Sequence, residues 1–303
     1  MANIVVLGSL NMDLIVRMDH LPAPGETVLG GDLVTALGGK GANQAVAAAR
    51  LGGQVSMVGR VGMDAYGHAQ RSALEAAGID TQWLLTDPGA LTGVAFILLD
   101  KNGQNSIVVS PGANQRMLAN DVAAIKPALE HADCLVMQLE TPLETVTAAA
   151  ALAAQMGVKV ILNPAPAQGL PKDLLCHVDT LILNETEAAL LTGMPVEGDA
   201  AAHAAGKQLL SKGPRCVALT LGGRGAYWIT AQHSGFVQAY TVEVVDTTAA
   251  GDAFVGAMAV ALAEEWEQDL ATHFACAAGA IAVTRLGAQP SLPTLAEVKS
   301  LMG

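Results

Sequence analysis

The stretch VDTLILNETEAALLT, Val178–Thr192, changes its hydrophobic period halfway along. Through Leu183 it is a short apolar run with no polar alternate face, as a strand covered on both sides requires. From Glu185 the pattern becomes that of a helix over 185–192, with Asn184 as the punctuation between the two. The same grammar recurs outward in both directions. NIVVLGS (3–9), QVSMVGRVG (54–62), HADCLVMQLE (131–140), VKVILNPAP (158–166) and RCVALTLGG (215–223) read as buried strands. Helical stretches at 41–51, 66–77, 143–155 and 200–212 lie between them. Such alternation predicts an α/β three-layer sandwich, a mostly parallel central sheet with helices on both faces. Ligands bind beyond the carboxyl ends of strands in such sheets. Asn11 and Asp13 are expected to end the first strand, and Glu140, Asn163, Asn184 and Thr220 to end others.

Two segments break the rhythm. Residues 14–37 and 92–111 are β-like with no helix between strands, and DKNGQN (100–105) reads as a hairpin turn. They predict a small β-sheet beside the main body, acting as a lid whose exposed face could pair with a second subunit. No repeat or low-complexity linker divides the chain, so residues 1–303 are read as a single domain.

Of the 303 residues, 51% are hydrophobic and 15% charged, so a large core is expected. The formal net charge of -12 argues against nucleic acid or an anionic membrane as partner. It leaves anionic small molecules open, because backbone N–H groups bind phosphate without net positive charge. Cys134, Cys176, Cys216 and Cys276 show no metal-ligand spacing and are read as reduced thiols of a cytoplasmic protein. MANIVVLGSLNMD, at the start, reads as a strand rather than a signal or a membrane span.

GxxxxGK[ST], GxGxxG after the first strand, HExxH and GxSxG are all absent, which removes the commonest nucleotide, zinc and hydrolase classes. What remains is DTTAAGDAFVGAMAVALAEE, Asp246–Glu265. From Ala253 to Ala263 it carries no charge, so the helix is buried and Asp252 sits in its first turn. Small side chains there let the N–H groups of Ala249, Ala250, Gly251 and Asp252 converge as an anion hole. Asp252 beside them could take a proton from a hydroxyl during phosphoryl transfer. The plain alternative is an N-cap with no chemistry. LGGKGANQAVAAARLG, 37–52, is either a tight turn feeding a helix or a close backbone approach to a polar ligand, with Asn43 reaching in. Asn184 and Glu187 either face a phosphate–Mg²⁺ cluster or form a capping box.

GSLNMD (8–13), GGKGANQAVAAARLG (38–52), NPAPA (163–167), NETE (184–187), TLGGRGA (220–226), DTTAAGDAF (246–254) and AIAVTRLGAQPS (280–291) resemble, in order, the motifs of the ribokinase-like carbohydrate kinase family. The likeness spans essentially the whole chain. It implies transfer of the ATP γ-phosphate to the 5-hydroxyl of D-ribose, with Asp252 as base and Ala249, Ala250 and Gly251 as anion hole. It places the sugar on Asn11, Asp13, Gly39, Lys40, Asn43, Glu140 and Asp252. ATP is implied against Asn184, Thr220, Gly222, Gly223, Gly225 and Gly251, with Glu187 organising Mg²⁺. A K⁺ ion or similar monovalent activator is implied at Asp246, Thr248, Ala282, Arg285, Gly287 and Ser291, and a homodimer through the lid sheets. Ala249 stands where many members carry glycine, and Cys276 where related enzymes can carry histidine near the adenine. A kinase for 2-deoxyribose or another pentose-like sugar, and a non-catalytic sugar-binding regulator, are the alternative readings.

Overall fold

The computed structural model describes residues 1–303. In chain order it begins with β1 (Asn3–Leu7), β2 (Asn11–Met18), β3 (Val34–Gly38), α1 (Lys40–Arg50), β4 (Gln54–Gly62) and α2 (Ala65–Ala76). There follow β5 (Leu84–Asp87), β6 (Gly93–Asp100), β7 (Asn105–Ser110), α3 (Lys126–Leu129), β8 (Cys134–Met137) and α4 (Leu143–Gln155). Next come β9 (Lys159–Leu162), α5 (Lys172–Leu175), β10 (Thr180–Asn184), α6 (Glu185–Thr192), α7 (Asp199–Leu210) and β11 (Cys216–Thr220). The chain ends with β12 (Gly225–Thr230), β13 (Ser234–Gln238), α8 (Ala250–Ala263), α9 (Gln268–Ala282) and α10 (Leu295–Met302).

Nine strands form the main sheet in the order β13-β12-β11-β10-β9-β8-β1-β4-β5. Only β12 and β13 run antiparallel to their neighbours. Side chains alternate between two cores, as the strand period demands. Ile4, Val6, Val136, Ile161 and Ile182 face the layer built by α1, α8 and α9. Val5, Leu7, Leu135, Leu162 and Leu183 face α4 and α7. The order reverses at β1, which lies between β8 and β4, and this is where a doubly wound sheet opens its crevice.

α8 is buried from Asp252 through Ala261, as its uniformly apolar sequence requires. It crosses α1 almost in backbone contact: a Cβ on Gly256 would lie 2.6 Å from the Cβ of Ala47. One turn earlier on each helix, the same crossing brings Asn43 and Gln44 against Asp252.

The second sheet has the order β3-β2-β6-β7. Asp100 Oδ1 accepts from the backbone N–H groups of Asn102 and Gln104, each at 2.8 Å, and closes the expected hairpin between β6 and β7. The structure corrects one boundary. Asn11 and Asp13 do not end the first strand; β1 stops at Leu7, and both residues lie on β2 of the small sheet. The continuous apolar-polar run hid the break, because Gly8–Leu10 carries no turn signal strong enough to mark it. Glu140 likewise lies three positions beyond the end of β8. No helix is long and apolar enough to cross a membrane.

Candidate active site

Ala249, the N-cap of α8, adopts a left-handed conformation with φ 59°. This turn leaves the N–H groups of Ala249, Gly251 and Asp252 without a protein acceptor, whereas Ala250 N–H is directed at the Thr247 carbonyl, 3.3 Å away. The expected anion hole is therefore narrower than the sequence suggests, with Ala250 contributing no free donor. Asp252 is 8% exposed, and both its oxygens are held. Asn43 Nδ2 donates to Oδ2 and Gln44 Nε2 to Oδ1, each at 2.9 Å.

The start of α1 supplies the next wall. Gly39 has φ 93°, and a Cβ there would lie 2.7 Å from the backbone nitrogen of Asn11. Only glycine lets the helix begin this close to β2. Lys40 N–H and the Ser9 hydroxyl both donate to Glu140 Oε2, fixing that carboxylate beside the helix start. Asn11 is buried, and its Oδ1 accepts from Asn114 Nδ2 at 2.8 Å. Its own amide N–H groups have no partner, and neither does the buried Oδ1 of Asn43. These are complementary needs, donors on one side and an acceptor on the other, which a polyhydroxylated ligand satisfies.

Five ionisable groups crowd the same space. Burial, then the carboxylates of Glu140 and Asp252, push the Asp13 carboxyl up to about 7. Burial pulls the Lys40 ammonium down, but Asp252, Glu140 and Glu187 outweigh it and hold its pKa above the ordinary value. An Asp whose folded pKa is raised binds more protons folded than unfolded, so its stability cost grows as pH rises to about 7 and is complete above it. In sugar-free protein, Asp13→Asn is therefore expected to raise the melting temperature at pH 8, and the gain should shrink towards pH 5. A Tm difference that is flat across that range would contradict the crowding.

A cavity of about 210 Å³ continues from this cluster across the ends of β9, β10 and β11. It is lined by Lys40, Asn163, Asn184, Glu187, Thr220, Gly251 and Asp252, among others. Asn184 and Glu187 form the capping box: Glu187 N–H donates to Asn184 Oδ1 at 2.8 Å, and Asn184 N–H to Glu187 Oε2 at 3.0 Å. The box does not exclude the other role, since it fixes one Glu187 oxygen and leaves Oε1 free. Burial, chiefly, holds the Glu187 carboxyl above its usual range. Gly222, Gly223 and Gly225 lie outside the lining of this cavity, and so does Cys276. Burial pushes the Cys276 thiol up to about 12.

Asp246 joins the loop before α8 to the loop after α9. Its Oδ1 accepts from Thr248 N–H at 2.9 Å and from the Thr248 hydroxyl at 2.6 Å, and its Oδ2 from Gly287 N–H at 2.9 Å. Ser291 donates its hydroxyl to the Ala288 carbonyl. Arg285 turns its guanidinium away to Glu297, and its N–H donates to the Ala282 carbonyl. Asp246, Thr248 and Gly287 thus meet directly; Ala282 is the last residue of α9, and Arg285 and Ser291 lie in the segment that follows it.

Sequence reasoning missed Ser9, Gln44, Asn114 and Gln138. Gln44 stands inside GGKGANQA, and the only signal available was a polar side chain in an otherwise Ala-rich helix.

Residues 1–295 match the model of the pfkB family carbohydrate kinase. The chain is 44% identical over 294 residues to the ribokinase of Haemophilus influenzae, covering 97% of this chain and 96% of that protein. It is 38% identical to the deoxyribokinase of Salmonella typhi, again over 97% and 96% of the two chains. The solved structure of Arabidopsis thaliana ribokinase complexed with ribose and ATP superposes with a TM-score of 0.92 at 34% identity, covering 100% of this chain and 99% of that one.

Proposed function

This chain belongs to the pfkB family of carbohydrate kinases, and from that premise we propose that it transfers the γ-phosphoryl group of ATP to the 5-hydroxyl of D-ribose. The observation that carries the reading is the position of Asp252. It stands between a cluster shaped for hydroxyls and a cavity floored by free N–H groups. Asn11, Asp13, Gly39, Lys40, Asn43 and Glu140 hold the sugar with O5 towards Asp252. The Asp252 carboxylate takes the O5 proton as the O5–phosphorus bond forms, and ADP leaves with the electron pair of the broken bond. The N–H groups of Gly251 and Asp252 and the Lys40 ammonium face the charge on the phosphoryl oxygens. ATP lies along Asn184 and Thr220, its far end towards the loop 222–225 and the α8–α9 side where Cys276 is buried.

A kinase of this kind works on ATP with Mg²⁺, which neutralises charge on the β- and γ-phosphates. Glu187, a partly desolvated carboxylate with one free oxygen on the cavity, suits an ion held mainly by phosphates and water. For the K⁺ activator, Asp246, Thr248 and Gly287 converge and the carbonyls of the post-α9 segment are near in sequence. Such an ion would brace the loop that shapes the α8 N-terminus. Replacing K⁺ by tetramethylammonium at equal ionic strength is expected to lower kcat several-fold; equal rates would remove the site.

Every residue of β7 is exposed, including Ile107 and Val108 at 52% and 64%. A second copy covering this strand gives the homodimer, since an open apolar edge otherwise invites uncontrolled pairing. Val108→Asp is then expected to convert dimer to monomer in light scattering; an unchanged mass would refute the interface. A cytoplasmic placement accords with four unpaired cysteines.

The test of the activity is ADP release from ATP and Mg²⁺ in K⁺ buffer, with D-ribose against no sugar. Ribose-dependent turnover supports the reading, and silence with ribose and with other pentoses leaves the sugar-binding regulator.

A further inference from the structure

Behind Asp252 runs a chain of buried amides that sugar and nucleotide contacts do not account for. Asn163 Nδ2 donates to the Ile182 backbone carbonyl at 2.9 Å. That bond turns Asn163 Oδ1 towards Gln44, whose Nε2 donates to it at 3.1 Å. The same Gln44 nitrogen donates to Asp252 Oδ1 at 2.9 Å. Gln138 Nε2 in turn donates to Gln44 Oε1. Gln44 and Gln138 are fully enclosed.

The direction of every bond in this chain is determined. A backbone carbonyl can only accept, so Asn163 must present its NH₂ to Ile182 and its oxygen to Gln44. A carboxylate also accepts, so Gln44 must present NH₂ to Asp252 as well. Both hydrogens of that NH₂ are then used, and the Gln44 oxygen is left to Gln138. Flipping Gln44 would set its oxygen against two acceptors and its nitrogen against a donor. Asn43, the other residue on Asp252, is not pinned in this way, because its Oδ1 has no partner.

We infer that Gln44 is the positioning residue for the base. It clamps Oδ1 of Asp252 through an amide that cannot turn, so that Oδ2, on the side of the adjustable Asn43, is the oxygen that receives the hydroxyl proton. This rests on Asp252 acting as base in the proposed transfer. The three elements that meet here explain why the clamp has to be a glutamine on α1. The side chain must reach past the helix start to the ends of β8 and β9 while touching α8, and an asparagine is one methylene short.

The test is Gln44→Met, which keeps length and volume but removes the N–H donor, with kcat and KM for D-ribose measured by ADP release from pH 5 to 9. The expected result is a fall in kcat of about 10- to 100-fold with KM for ribose within threefold. The acidic limb of the kcat profile should also move to higher pH, because a carboxylate that loses a donor is protonated more readily. Lys40, Asp13 and Glu187 also act on this carboxylate, with Glu140 beside Asp13 and Lys40, and all four are unchanged in the variant, so the shift isolates the amide. Gln138→Leu acts on the orientation of Gln44 from outside the site, and a smaller fall with a shift in the same direction is expected; it serves if Gln44→Met does not fold. Asp252→Asn run in parallel separates the two claims. A large loss there with kcat within twofold and an unmoved limb in both glutamine variants overturns the clamp alone. Little loss in Asp252→Asn overturns the base and the clamp together.

Discussion

Asp252→Asn is expected to lower kcat by about 10³-fold while D-ribose still binds within a few-fold of its original affinity. The substitution keeps shape and removes only the capacity to take a proton. Its structural cost is small for a reason visible in the contacts. Two donors, Asn43 Nδ2 and Gln44 Nε2, face the carboxylate, so one must meet the NH₂ of the new amide. In the sugar-free protein Asn43 can resolve the conflict by turning its unpartnered oxygen inward, because no protein group holds that end. The new side chain then keeps its oxygen towards Gln44, and stability falls by no more than about 1 kcal/mol, one rearranged hydrogen bond. Pre-steady-state ADP release gives the rate and titration calorimetry gives the affinity. A loss below about tenfold would mean that another group, or water, accepts the proton. Loss of ribose binding in step with rate would mean that Asp252 chiefly holds the sugar.

How far the site could be read from the chain depends on how far apart its parts are. Asp252 was legible because the small residues before it and the apolar helix after it stand next to it in sequence. Asn184 and Glu187 were legible as a pair three positions apart, although spacing could not choose between cap and ligand; the geometry shows the cap made and one oxygen left over. The alternation of strands and helices revealed the layered sheet because each element carries its own period. The amide chain had no such local signature. Gln44 meets its partners across 208, 119 and 94 positions, and no pattern within α1 distinguishes it from a glutamine facing water. Asn114 is equally silent: it lies in a short 3₁₀ turn over 112–116, yet it holds Leu10 and Asn11 from 104 and 103 positions away. The break between β1 and β2 was lost for a related reason. A strand that leaves one sheet for another across a break as short as Gly8–Leu10 reads as one continuous run, and only the partners change.

D-Ribose is expected to be preferred over 2-deoxyribose by a wide margin in kcat/KM, and the reason lies in Asn11 rather than in overall likeness. A relative named deoxyribokinase is 38% identical over 97% of the chain, so similarity of that order does not choose between the sugars. Asn11 is 2% exposed and its oxygen is committed to Asn114, so towards the ligand it can only donate. Its two N–H groups meet the hydroxyls at C2 and C3, and 2-deoxyribose supplies only the second. Where the hydroxyl is missing, a buried N–H group is left unpaired at a cost of about 1–3 kcal/mol, roughly 5- to 150-fold. Enclosed sites built to bond a hydroxyl can reach about 10⁴-fold. Steady-state kinetics on both sugars measures the ratio, and equal kcat/KM values would sink the argument. Asn11→Ala supplies the second arm: with no donor to leave stranded, the variant should lose rate on ribose far more than on 2-deoxyribose, and the two specificities should converge. If the ratio instead survives the substitution, discrimination belongs to the carboxylates of Asp13 and Glu140, and Asn11 serves to tie β2 to Asn114.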